Sequence, residues 1–156
     1  MTDYQFVTDR LAVGGYIRDT ECVRELAAAG ITHVINMMHE FDDGPIIDGT
    51  GIELLQNGTT DDFLPKPTTL FWKGVDFALQ ALKGSPSAKV YIHCAAGVHR
   101  SPIMLLAILR ALGYERKQGI NMIVEARPQA NFPPVYVMSV EDFMREFRAA
   151  SQTAKK

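Results

Sequence analysis

Apolar and polar positions change rhythm several times along this chain of 156 residues. The runs "YQFV" (4–7) and "LAVGG" (11–15) flank the polar "TDR", the pattern of two short strands and a turn. In "TECVRELAAAG" (20–30) the apolar spacing lengthens to that of a helix, and Gly30 stands where the helix would end. "THVINMM" (32–38) and "GIELLQN" (51–57) return to strand character, separated by the acidic stretch "HEFDDGP" (39–45), which reads as loop. A second irregular stretch, "GTTDDFLPKP" (58–67), precedes a helix over 69–82, for which Thr68 or Thr69 is the expected cap. "AKVYIHC" (88–94) is nearly continuously apolar, as a central strand covered on both faces should be.

Helical spacing dominates the C-terminal third. "SPIMLLAILRALG" (101–113) has proline in its first turn and glycine just past its end, and "RKQGINMIVEARP" (116–128) stops before Pro128. "VEDFMREFRAA" (140–150) starts from Ser139 as expected cap, and 151–156 reads as a frayed tail. Strands early, alternation in the middle and helices late predict one α/β domain over residues 1–150. Its central sheet is expected to be mixed, mostly parallel, of about five strands, with helices on its flanks.

Composition narrows the partners. With 47% apolar and 22% charged residues and a net charge of -2, the chain has the balance of a globular protein and no electrostatic case for nucleic acid or an anionic membrane. No apolar run is long enough to cross a bilayer, and the N-terminus shows no basic segment followed by an apolar one, so a cytoplasmic monomer is expected. Two cysteines, Cys22 and Cys94, make no disulfide framework and fit a reducing compartment. Cys22 is expected to pack on its helix rather than to trap an oxidised Cys94. His33 and His39 form no ligand set with Cys22, so no metal and no cofactor is expected.

The chemistry gathers in "HCAAGVHRS", His93 to Ser101, at the junction of the central strand and the next helix. Ligands of open α/β sheets bind beyond the carboxyl ends of the strands, where the first turn of a helix offers unpaired N–H groups to anions. Ala95, Ala96 and Gly97 are small enough to let the backbone curl around a phosphate, with Val98 and His99 completing the wall. Arg100 can clamp two phosphoryl oxygens with its planar fork. Cys94, at the floor, lies where backbone dipoles and that arginine favour negative charge, so a thiolate nucleophile and a phosphocysteine intermediate are expected. Ser101 can donate to the departing sulfur, and His93 can orient the loop through its backbone.

The order strand, H-C-x-x-G-x-x-R-S, helix resembles the signature of the protein tyrosine phosphatase superfamily at every position. Residues 4 to 148 resemble its compact dual-specificity branch, with "LAVGGYIRDTECVRELAAAGITHVINMMHE", "KGVDFALQAL" and "ARPQANFPP" carrying the likeness. The resemblance implies a general acid, an aspartate on a loop some thirty residues before the cysteine; Asp62 is the favoured candidate and Asp61 its competitor. The nearly neutral wall favours singly phosphorylated tyrosine, serine or threonine in proteins. Phosphoinositides, phosphoglucans and small phospho-metabolites stay open as alternatives, as does a phospho-binding module without catalysis.

Overall fold

The computed structural model describes residues 1–154. Strands β1 (Tyr4–Thr8), β2 (Leu11–Gly14), β3 (His33–Met38), β4 (Glu53–Thr59) and β5 (Val90–His93) form one sheet in the order β1-β2-β5-β3-β4. β1 and β2 are antiparallel, joined by a tight turn; β2, β5, β3 and β4 run parallel. This is the mixed, mostly parallel five-stranded sheet expected from the sequence.

Six helices accompany it: α1 (Thr20–Ala28), α2 (Gly44–Ile47), α3 (Thr68–Gly84), α4 (Arg100–Ala111), α5 (Arg116–Ala126) and α6 (Pro134–Ala154). The two-residue period of the strands sorts side chains to opposite faces. Leu11, Val13, Ile35, Met37, Val90 and Ile92 enter a large core with the apolar residues of α3, α4, α5 and α6. Their alternates Ala12, Val34 and Tyr91 join a smaller core with Cys22, Val23 and Leu26 of α1 and Ile47 of α2. Every residue of α4 from Arg100 to Arg110 is buried, which explains why its sequence is apolar on all sides rather than along one stripe.

Four boundaries depart from the sequence reading. The one-turn helix α2 lies inside and just beyond the acidic stretch that reads as loop. Thr68 is the first residue of α3 rather than a cap; its hydroxyl donates to Glu146 at 3.0 Å. α6 begins at Pro134, because proline at the first helical position is pre-set for the turn rather than a breaker, and Ser139 therefore sits inside the helix. The frayed tail expected at 151–156 is corrected as far as Ala154: alanines and Gln152 continue α6, and Thr153 donates to the Ala149 carbonyl at 2.9 Å. Residues 155 and 156 lie outside the described residues.

Candidate active site

β5 is buried along its whole length between β2 and β3, and its carboxyl end delivers His93 and Cys94 to the edge of the sheet. The loop after it turns on Gly97 at φ 68°, a backbone region that L side chains rarely adopt. Space demands glycine there as well, since a Cβ would stand 2.5 Å from Nη2 of Arg127 and 2.6 Å from the Gly14 backbone.

The carbonyls of this loop are held from outside. That of Ala95 accepts from the Tyr16 N–H at 3.2 Å, and that of Val98 from the Asn131 N–H at 2.8 Å. Those of Ala96 and Gly97 accept from Nη2 and Nε of Arg127 at 2.9 and 2.8 Å. In a planar trans peptide the N–H points opposite to the C=O, so binding the carbonyls outward turns the N–H groups of the following residues inward. The result is the concavity of main-chain donors expected for an anion, with Cys94 at its base. Its sulfur is 3.3 Å from the Ser101 hydroxyl, which also donates to the Gly14 carbonyl at 3.1 Å.

Arg100 is the first residue of α4, and its guanidinium is already oriented. Nη1 donates to Glu40 at 2.7 Å and to the Thr59 carbonyl at 2.8 Å, while Nη2 donates to the second Glu40 oxygen at 2.8 Å. Hydrogen bonding to Arg100 holds the Glu40 carboxyl down to about 2, and the same pairing raises the arginine further above its ordinary value. A guanidinium carries five N–H donors. Three are therefore engaged, and the two left, on Nε and Nη2, form a parallel fork of the shape that can take a pair of oxyanion oxygens.

The two aspartates of the upstream loop are placed differently. Asp61 reaches the cradle: Oδ2 is 2.9 Å from Nδ1 of His99, and Oδ1 accepts from the Tyr136 hydroxyl at 2.9 Å. Asp62 is engaged elsewhere, accepting from the Leu64 N–H at 3.1 Å and from Nζ of Lys66 at 3.0 Å. Those contacts, the backbone bond first, hold its carboxyl below the ordinary range, as befits an ionised turn residue. The structure thus brings Asp61, not the favoured Asp62, together with the cysteine loop.

Tyr136 organises this loop from α6. Its hydroxyl donates to Asp61 and accepts from the Phe63 N–H at 2.9 Å; burial, together with that carboxylate, pushes the phenol up to about 12, so it stays a donor. Phe63, a non-glycine residue at φ 60°, stacks on Tyr136 and presents its edge to His99 at 5.1 Å. Around the mouth, Phe63 is 53% exposed, and Tyr16 and Phe41 form a second, half-exposed aromatic pair. Glu40, Tyr136 and Asp43, the last in contact with Nε2 of His93, are site residues that the sequence reading missed. Arg127, which the sequence offers as an extension of the anion site but which its neighbour Pro128 marks first as a helix end, is fully buried and braces the cradle, tied also to Asp3 and Gln5. Cys22 packs in the smaller core, on the other face of the sheet from Cys94.

No protein-family model matches the chain. Dual specificity protein phosphatase 26 of Bos taurus is 35% identical to it over 106 residues, 65% of this chain and 50% of that protein, so the chain spans about half the length of the curated relatives it matches. Among solved structures, PTPMT1 in complex with PI(5)P superposes with a TM-score of 0.84 at 22% identity, over 95% of this chain and 98% of that one. Human DUSP28 gives a TM-score of 0.80 at 20% identity, over 95% and 97%. The chain is thus similar in sequence to a dual specificity protein phosphatase over 106 residues and shares the fold of PTPMT1 and DUSP28.

Proposed function

We propose that the chain is a phosphomonoester hydrolase working through a phosphocysteine. The observation that carries this is the alignment of three groups on one concavity: the Cys94 sulfur at its base, the free edge of Arg100 on its wall, and Asp61 on its rim through His99. The Cys94 thiolate attacks phosphorus in line with the ester oxygen, forming P–S as P–O breaks. The protonated carboxyl of Asp61 gives its proton to the leaving oxygen, so an alcohol or phenol departs rather than its anion. Asp61, now ionised, takes a proton from water as that water attacks phosphorus. P–S then breaks, inorganic phosphate leaves, and the hydroxyl of Ser101 turns from the Gly14 carbonyl to donate to the sulfur as it regains its charge.

The substrate best supported is a singly phosphorylated side chain in a protein, tyrosine above all. The variable loop positions Ala95, Ala96, Val98 and His99 add no fixed cation to the wall, and the exposed rings of Tyr16, Phe41 and Phe63 offer an aryl group apolar surface at the mouth. PTPMT1 has been crystallised with an inositide; a polyanionic headgroup would find one free arginine fork here and carboxylates at Glu40 and Asp62 near it.

The test is turnover of aryl and alkyl phosphates by the parent and by the Cys94→Ser, Asp61→Asn and Asp62→Asn variants. Expected are loss of activity in Cys94→Ser, and in Asp61→Asn a fall in kcat of about a hundredfold or more for alkyl phosphates, whose poor leaving group needs the proton. Asp62→Asn should stay within about threefold of the parent, the range of an exposed turn substitution. An inactive parent would overturn the enzymatic reading, and the reverse order of the two aspartates would overturn the choice of acid.

A further inference from the structure

The loop between β3 and α2 touches the cysteine loop at both ends. Glu40 orients Arg100 at one end, and Asp43 meets His93 at the other. The Asp43 and His93 side chains are both fully buried, with Oδ2 of the carboxylate against Nε2 of the ring. Nδ1 of the same ring lies 3.4 Å from the Cys94 carbonyl oxygen. Asp43 stands at the N-cap of α2, where an aspartate ordinarily bonds the first turn with its own side chain. It makes no such bond, and Asp42 takes the Gly44 N–H instead, at 2.8 Å. Oδ1 of Asp43 is buried with no partner among the described residues. A carboxylate in that position is unfavourable unless the contact it does make offsets the loss of water.

The contact constrains where protons sit on the ring. A carbonyl oxygen only accepts, so Nδ1 must carry hydrogen for His93 to hold Cys94. A neutral imidazole has one N–H, and a carboxylate at Nε2 competes with the Cys94 carbonyl for it, so one proton cannot serve both contacts. With Asp43 at Nε2, a proton lies between Oδ2 and Nε2. Nδ1 carries hydrogen as well when the pair holds two protons, as imidazolium with carboxylate or neutral ring with carboxylic acid, and that state has no net charge, as full burial favours. The stacked ring of Tyr91, 5.5 Å away and tilted by 21°, fixes the plane in which this N–H points.

We propose that Asp43 is a positioning residue for the nucleophile, acting through His93 to hold the Cys94 carbonyl at the back of the cradle. Planarity of the 94–95 peptide then turns the Ala95 N–H forward, toward the site of the phosphoryl oxygens, as the other outward-bound carbonyls do for the residues after them. The proposal rests on reading residues 94–100 as an oxyanion cradle, and it gives a use to an aspartate that capping does not explain.

The ring protons can be read directly. In the full chain labelled with 15N-histidine, long-range 15N–1H spectra identify which nitrogen is protonated, and the His93 signals are those lost in His93→Asn. Nδ1 of His93 should be protonated in the parent and in Asp43→Asn, whose amide N–H can donate to Nε2, while the proton shared at Nε2 in the parent should be absent from Asp43→Leu. With an aryl phosphate, kcat/KM should fall about a hundredfold in Asp43→Leu and under about tenfold in Asp43→Asn. A bare Nδ1 in the parent, or an Asp43→Leu variant as active as the parent, would overturn the assignment. The parent spectrum decides even where Asp43→Leu fails to fold. It also needs no turnover, so an inactive parent would count against the enzymatic reading alone.

Discussion

Arg100 enters the site with its geometry already chosen. Glu40 and the Thr59 carbonyl occupy one side of the guanidinium, so a phosphate meets a fork that need not search for its orientation. Replacing Glu40 by Gln keeps the shape but removes the charge and one acceptor. The expected result is weaker binding of an oxyanion such as tungstate, by about tenfold, the equivalent of losing one charge-assisted hydrogen bond. Stability carries the same signature. Glu40 has its carboxyl at about 2 in the folded chain against 4.5 ordinarily, a lowered value, so its contribution is present above the ordinary value and fades as pH falls through the folded one. The melting-temperature gap between parent and Glu40→Gln should therefore be full near neutral pH and close as pH drops from 4.5 toward about 2. A gap that ignored pH would show that Glu40 acts by shape alone.

At the scale of elements, α6 does more than cover the sheet. Tyr136 and Ser139, one turn apart, hold the acid loop through the Phe63 and Lys66 N–H groups, at 2.9 Å each, and Tyr136 holds Asp61 itself. Tyr136→Phe removes those two bonds to its hydroxyl while leaving the ring stacked on Phe63. Alkyl phosphate turnover should fall by about tenfold and aryl phosphate turnover much less, because only the acid-dependent step is disturbed. An equal loss on both substrates would mean that Tyr136 supports the cradle rather than the acid. This layer is also where the sequence stops being readable. The cysteine loop was legible because its strand, glycine, arginine and helix are contiguous. The choice between Asp61 and Asp62 was not, since adjacent residues in a loop face different ways and the side chains that decide, His99 and Tyr136, lie far along the chain. Glu40 and Asp43 were hidden for the same reason, within an acidic stretch that by itself looks like a solvated turn.

For the whole molecule, the nearly continuous apolar run of β5, read from the sequence as a strand covered on both faces, is matched by one core on each face of the sheet. Arg127 shows what such patterns miss. It joins the end of α5, the start of β1 and the back of the cradle in one buried group, and no periodicity marks a residue whose partners are carbonyls and the chain's own beginning. The cysteine loop is, in this way, tied to α5 and to β1.

The enclosure of α4 sets how such a protein fails. The helix that begins at Arg100 is covered along almost its whole length, by the sheet on one side and by α3, α5 and α6 on the others. Its amides should be among the slowest in native-state deuterium exchange, opening only when the entire domain opens. Warming would then not loosen the cysteine loop ahead of the rest, and loss of the proposed turnover on heating should coincide with loss of the fold, as followed by circular dichroism, instead of preceding it.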